Sequence, residues 1–275
     1  IQVTQACRGC IAHRCMNACP RQAITVVDRH AVIDKTKCVE CGRCVEACSY
    51  SAIIKQRRPC VNACKADALT IDKETKKAKI KEEKCISCGA CVYRCPFGAI
   101  MDKSFITKAI RMLVESRNNE VYKVYAIVAP AFASQYPNIP QITTEKVVTA
   151  IKKLGFHSVI EAALGADMVA YSEADELVEK GFLTSSCCPA FVRYIKKNYP
   201  DLVENISHNP SPMMQMAKVI KELDPYSKVV FFGPCIAKKA EAHQEDVSQY
   251  VDCVLTFEEM QALFNAKGID KNTYR

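Results

Sequence analysis

A chain of 275 residues with 49% apolar and 25% charged side chains is long enough for two or three domains and too apolar to be mainly disordered. No signal peptide is legible, and the longest apolar run, near Val124 to Ala133, is too short for a bilayer, so a reducing, cytoplasmic protein is expected. The net charge of +8 would ordinarily point to nucleic acid, but 18 cysteines change its meaning. Thiolate-held metal clusters carry negative charge, so several of them would offset much of the basic excess. The lysines are also interleaved with acids, as in KETKKAKIKEEK, a solvated hairpin or strand end. No nucleic-acid or membrane partner is expected.

Fourteen cysteines precede residue 96 and fall in four groups. These are CRGCIAHRCMNACP (Cys7, Cys10, Cys15, Cys19), CVECGRCVEACS (Cys38, Cys41, Cys44, Cys48), CVNAC (Cys60, Cys64) and CISCGACVYRCP (Cys85, Cys88, Cys91, Cys95). The second and fourth follow C-x2-C-x2-C-x3-C, in which three thiolates of a tight loop reach one cubane and the last reaches its neighbour. A structural zinc site has no need of this rhythm. Each group is followed by a short apolar segment, AITVV, SAIIK, ALTID or GAIMD, expected to be a strand. Two ferredoxin-like modules result, over residues 1–52 and 53–103. Crosswise pairing predicts one set of Cys7, Cys10, Cys15 and Cys48, and another of Cys38, Cys41, Cys44 and Cys19. In the second module Ile54 and Arg57 stand where two leading cysteines would be, so only Cys85, Cys88, Cys91 and Cys64 complete a set. Cys60 and Cys95 remain over. Three clusters are expected and a fourth is left open. His13 and His30 read as surface or packing residues rather than ligands.

Ser104 is expected to cap a helix running to about Asn118, followed by the buried strand VYKVYAIVAP. The alternation continues through helix TTEKVVTAIKKLG, strand HSVIEAA, helix ADMVAYSEADELVEKG, the short segment FLTSS, helices PAFVRYIKKNYP and SPMMQMAKVIKEL, strand KVVFFG, helix CIAKKAEAH, strand DCVLT and helix FEEMQALFNAKG. The whole chain is therefore α+β, two small iron-sulfur modules followed by an α/β domain over 104–275 with a parallel or mixed sheet. Such sheets place chemistry at the carboxyl ends of their strands. Three stretches lie there: APA (129–131), SSCCP (185–189) and GPCIAKKAE (233–241).

Pro189 suits the first position of a helix, which puts Cys188 at the helix N-terminus, where N–H groups and the dipole favour thiolate. Neighbouring side chains diverge, so Cys187 and Cys188 are expected to do different work; the alternative is a pair of buried, apolar cysteines. Cys235 follows Pro234 and opens another helix, with Lys238 and Glu241 on its side of the helix. Lys238 is either a solvated lysine or a donor to an anionic metal ligand. Glu173 and Glu176 share a helix face, as a solvated pair or as a proton relay. Cys253, in VDCVLTF, reads as core.

These stretches resemble the FeFe hydrogenases, whose T-S-C-C-P and P-C-x-x-K-x-x-E segments are matched by TSSCCP and PCIAKKAE behind ferredoxin clusters. The resemblance implies an H-cluster, a 4Fe-4S cubane joined through cysteine to a two-iron centre with carbonyl, cyanide and dithiolate ligands, and the reversible reduction of protons to dihydrogen. It implies that Cys188 and Cys235 ligate the cubane and that Cys187 exchanges protons at the two-iron centre. It further implies that Lys238 donates to a cyanide, that Ala129 and Pro130 line the dithiolate pocket, and that Glu173, Ser207 and Glu176 form the proton path. Implied partners are ferredoxin or a similar small carrier, and hydrogenase maturation proteins. The sequence departs from the family in the extra serine of TSSCCP, in Phe191 for tryptophan, in Gly233 for methionine and in Met213 for glutamine. The family's third segment, with the last two cluster cysteines, is absent, and the chain lacks an initial methionine, so a fragment is expected. The alternatives are a non-catalytic relative that assembles or senses iron-sulfur clusters, as in eukaryotes, and an electron-transfer subunit.

Overall fold

The computed structural model describes residues 1–72, 74–135 and 143–269. Two compact units divide after Asn62: Ile1–Asn62 and Ala63–Arg275. In the first, β1 (Gln2–Val3) pairs antiparallel with β4 (Ile53–Ile54), and β2 (Ile24–Val27) forms a hairpin with β3 (His30–Ile33). Asp28 and Arg29 between β2 and β3 both have positive φ, 49° and 60°, the requirement of a tight two-residue hairpin turn. Short helices α1 (Arg14–Asn17) and α2 (Arg43–Ala47) sit within the cysteine groups. Gly9 lies where any Cβ would stand 2.3 Å from the Arg29 carbonyl oxygen, so only glycine lets this cysteine loop close on the hairpin. The buried cluster of this unit is small, Ile1, Ile24, Ala31, Cys44 and Ile53, with Val3, Val26, Ile33 and the cysteines Cys7, Cys15, Cys19 and Cys48 partly buried against it. A core so small needs metal-thiolate bonds to hold it.

α3 (Pro59–Ala63) runs across the division. The second unit opens with β5 (Leu69–Ile71) antiparallel to β6 (Ala78–Ile80), and α4 (Ala90–Tyr93) follows. The strand expected at GAIMD does not form. Residues 98–102 pair with nothing in the sheet, Gly98 takes φ 61°, and AKI of the lysine-rich stretch partners β5 instead. Hydrogen-bond register decides here over apolar content.

The larger part of this unit contains α5 (Ile106–Glu115), β7 (Val124–Val128), α6 (Thr144–Lys153), β8 (Ser158–Glu161), α7 (Ala162–Lys180), α8 (Pro189–Asn198) and α9 (Pro212–Leu223). It continues with β9 (Lys228–Gly233), α10 (Ile236–Glu241), α11 (Glu245–Ser248), β10 (Cys253–Thr256) and α12 (Phe257–Ala266). Four strands make one wholly parallel sheet in the order β10-β9-β7-β8. Ala126 to Val128 and Val229 to Phe232 are buried, as expected of strands covered on both faces, whose sequences read as continuous apolar runs. FLTSS contributes a single bridge, Thr184 to Ile206, rather than a strand.

Ser104 is not the cap of α5, which begins two residues later behind Phe105. Its hydroxyl donates to Glu259 Oε1 at 2.6 Å, and the Phe105 N–H donates to the same oxygen at 3.1 Å. The buried Lys239 joins this knot, 2.6 Å from Asp102 Oδ2 and 2.7 Å from Glu259 Oε2, and donates to the Lys103 carbonyl at 3.0 Å. Residues 102–104 are thus fastened to α10 and α12. Lys239→Met leaves two carboxylates short of a buried cation, and is expected to cost on the order of 3 kcal/mol in anaerobic urea unfolding.

Candidate functional site

The cysteines of the first unit come together crosswise. Cys38, Cys41, Cys44 and Cys19 line one small cavity. Burial raises the Cys44 thiol above its ordinary range, and Cys38, Cys41 and Cys19 push it the same way. For Cys15 burial again leads, with Cys48 and Cys10 as the neighbouring charges. In the second unit Cys64, Cys85, Cys88 and Cys91 line a cavity of about 440 Å³ walled by Leu69, Ile86 and Ile236. The closing cysteine of each group accepts from the N–H of an alanine four residues on: Ala23 to Cys19 at 3.3 Å, Ala52 to Cys48 at 3.4 Å, Ala68 to Cys64 at 3.2 Å and Ala99 to Cys95 at 3.3 Å. Such donors stabilise thiolate. Cys95 is held below the usual thiol range by the N–H groups of Phe97, Ile100, Ala99 and Gly98, yet does not line the cavity of Cys64. Cys60 is buried on α3. Among the described residues no three His, Cys, Asp or Glu side chains close on a single ion. A cubane holds its thiolates further apart, and the cavity of Cys64, Cys85, Cys88 and Cys91 has room for one.

Gly89, at φ 77°, begins α4 where a Cβ would stand 2.7 Å from Ile236 Cδ1. Ile236 is the residue after Cys235, so the loop of Cys85, Cys88 and Cys91 packs directly against the start of α10. Lys197 of α8 ties the same loop, donating to the Cys85 carbonyl at 2.8 Å and the Glu82 carbonyl at 3.2 Å.

Cys188 occupies the N-cap of α8 with Pro189 at the first helical position, and Cys235 occupies the N-cap of α10. Arg193 of α8 donates to the Ala240 carbonyl at 3.4 Å, holding the two helices together. Cys187 and Cys188 are exposed rather than buried, and Cys235 is half-buried. Ala129 donates from its N–H to the Phe232 carbonyl at 2.8 Å, so Ala129 and Pro130 lie beside the strand end that leads into Cys235. At Gly233 a Cβ would meet the Phe231 ring at 2.5 Å. The ring of Phe231 therefore fills the space that a side chain at 233 would need. The buried Lys238 ammonium lies 2.6 Å from Glu241 Oε2, but neither atom has a well-aligned hydrogen bond among the described residues. An ammonium has three donors, so beyond this ion pair it can still donate to an anionic group bound beside Cys235. Cys253 is core: burial pushes its thiol up to about 12.

Glu173 Oε1 accepts from Ser185 Oγ at 3.3 Å, and the Cys187 N–H donates to that hydroxyl at 3.3 Å. Glu176 Oε2 accepts from Ser207 Oγ at 3.0 Å and from Asn209 Nδ2 at 3.0 Å. No hydrogen bond joins Glu173 to Ser207 among the described residues. Lys180, then His208 and Ser207, hold the Glu176 carboxyl down at about 2. A folded carboxyl that binds its proton less tightly than the unfolded one stabilises the fold above the ordinary 4.5, and that stability is lost as pH falls towards about 2. Glu176→Gln is expected to flatten the acid dependence of urea unfolding over that window.

Ser185, inside the expected site stretch 185–189, meets Glu173, and Lys180, His208 and Asn209, unmarked in the sequence, converge on Glu176. Only the extra serine of TSSCCP was a visible signal for any of them.

Residues 122–275 match the family described as "Iron only hydrogenase large subunit, C-terminal domain". The chain belongs to that family. Residues 1–49 and 58–99 each match a 4Fe-4S dicluster domain. Iron hydrogenase 1 of Clostridium pasteurianum is 31% identical over 88% of this chain and 45% of its own length. The cytosolic Fe-S cluster assembly factor NAR1 of Kluyveromyces lactis is 35% identical over 34% of this chain and 20% of its own. The apo FeFe-hydrogenase HydA1 from Chlamydomonas reinhardtii superposes with a TM-score of 0.56 at 25% identity, over 63% of this chain and 50% of that one. The chain spans less than half the length of these curated relatives. As an iron-only hydrogenase family member it carries 4Fe-4S clusters and an H-cluster-type site. No helix among the described residues is long and apolar enough to cross a membrane.

Proposed function

We propose that the protein catalyses the reversible reduction of protons to dihydrogen, with electrons supplied by ferredoxin or a similar small carrier in a reducing cytoplasm. The observation that carries this reading is the buried ion pair of Lys238 with Glu241, one turn from Cys235, on a helix packed against the one that Cys188 caps. Cys188 and Cys235 would hold the cubane of the H-cluster, and Lys238 would donate to an anionic ligand of the two-iron centre, with Ala129 and Pro130 beside it. That cofactor, installed by maturation proteins, supplies the redox chemistry that joins protons and electrons. Cys187, exposed and outside the cluster sets, would carry the proton at its Sγ, with Glu173 and Ser185 behind it and Ser207 and Glu176 further out. The sets of Cys7, Cys10, Cys15 and Cys48, of Cys38, Cys41, Cys44 and Cys19, and of Cys85, Cys88, Cys91 and Cys64 would bind the electron-relaying clusters. Cys60 and Cys95 lie outside these three sets.

A second reading, a cluster-assembly factor without turnover, is favoured by the similarity to NAR1 and by the tight clamp on Glu176. The deciding experiment supplies the matured protein with a low-potential donor. The hydrogenase reading expects dihydrogen, and intact clusters without any dihydrogen would leave the assembly role.

A further inference from the structure

Every acceptor position of Glu176 is taken. Besides Ser207 and Asn209 on Oε2, Oε1 accepts from Lys180 Nζ at 2.8 Å and faces His208 Nδ1 at 2.7 Å, and the His208 N–H reaches both oxygens at 3.2 Å. A carboxylate offers about four lone-pair sites, so water has no opening through which to hand it a proton. Of its neighbours, Asn209 does not titrate, Ser207 is buried, and a lysine keeps its proton near neutral pH. Only the imidazole changes charge in that range as a class and also meets solvent: the His208 side chain is 78% exposed against 12% for Glu176.

We propose that His208 is the proton port of this site, exchanging protons with solvent through Nε2 and with the Glu176 carboxylate through Nδ1. The inference rests on the hydrogenase reading. For proton reduction, the imidazolium gives its Nδ1 proton to Glu176 Oε1 in a transient, uphill step, because the clamped carboxylate binds a proton less tightly than imidazole does, and Nε2 regains one from water once the ring has turned over or exchanged its tautomer. No electrons move, and dihydrogen oxidation runs the steps backwards. The ring opens onto a cleft of about 670 Å³ that extends to Ser186 and Pro189, the residues flanking the thiol pair. Charged groups facing His208 are Glu176 and Lys180 on α7, with Arg193, Lys196 and Lys218 opposed by Glu241 and Asp246 around the cleft.

The test joins spectroscopy to turnover. In the holoprotein, a nitrogen-15 histidine titration should show the His208 protonation midpoint falling by about one pH unit in Glu176→Gln, because the anion beside Nδ1 is gone. The other four histidines should stay put and report an intact fold. His208→Ala should lower dihydrogen turnover by about tenfold to a hundredfold, and added imidazole should restore most of it. A His208 titration indifferent to Glu176→Gln, or a turnover loss that imidazole does not repair, overturns the port. A parent protein that makes no dihydrogen overturns the hydrogenase reading instead, and the titration still decides whether His208 and Glu176 share a proton.

Discussion

Cys187→Ala in the matured protein should leave every iron-sulfur signal in place and cut dihydrogen turnover by about a hundredfold or more. Cys188→Ser should instead lose the cubane at the active site. The reason lies in backbone position. Cys188 occupies the N-cap of α8, the position assigned to the cubane, whereas Cys187 precedes the cap and lies outside the cluster sets. A thiol bound to iron cannot also shuttle protons, so the two neighbours fail differently. Iron content with electron paramagnetic resonance separates the outcomes, and equal behaviour of the two variants would contradict the division of work.

The second large effect is expected at Cys64. It closes the cavity of Cys85, Cys88 and Cys91 from more than twenty positions upstream, and its sulfur accepts the Ala68 N–H at 3.2 Å. Cys64→Ala should therefore remove one whole cluster's iron and the signals of that cluster alone. Because the loop of that cluster packs on Ile236 beside Cys235, turnover driven by a protein donor should fall at least tenfold, while the clusters of the first unit remain reducible. Retention of the full iron content would contradict the crosswise set. Cys95→Ala is the companion measurement, since its backbone donors match those of Cys64 while its sulfur lies off that cavity. Unchanged iron is expected with three clusters, and loss of iron would reveal a fourth.

The cysteine groups were visible in the sequence because metal coordination constrains spacing locally, and a tight loop can present three sulfurs only at near-fixed intervals. Cys188 at a helix start followed from Pro189, whose ring suits the first helical turn. The parallel sheet was legible for a similar reason: KVVFFG and VYAIV are apolar without alternation, as strands covered on both faces must be. What escaped notice depends on pairing across the chain. GAIMD is as apolar as β5, yet AKI wins its place by register, and nothing near Ser104 announces a bond to Glu259, 155 residues away. The grip of Lys180, His208 and Asn209 on Glu176 belongs to the same class. Each is an ordinary surface residue in sequence and acquires meaning only when α7 meets the segment before α9.

The claim at the centre is that Cys188, Cys235 and Lys238 frame an H-cluster. Infrared spectroscopy of the protein after maturation with the two-iron centre tests it most directly. Carbonyl and cyanide bands should appear, and in Lys238→Met the cyanide bands should shift as the buried ammonium is withdrawn. Bands that never appear after maturation, or cyanide bands indifferent to Lys238→Met, would contradict it.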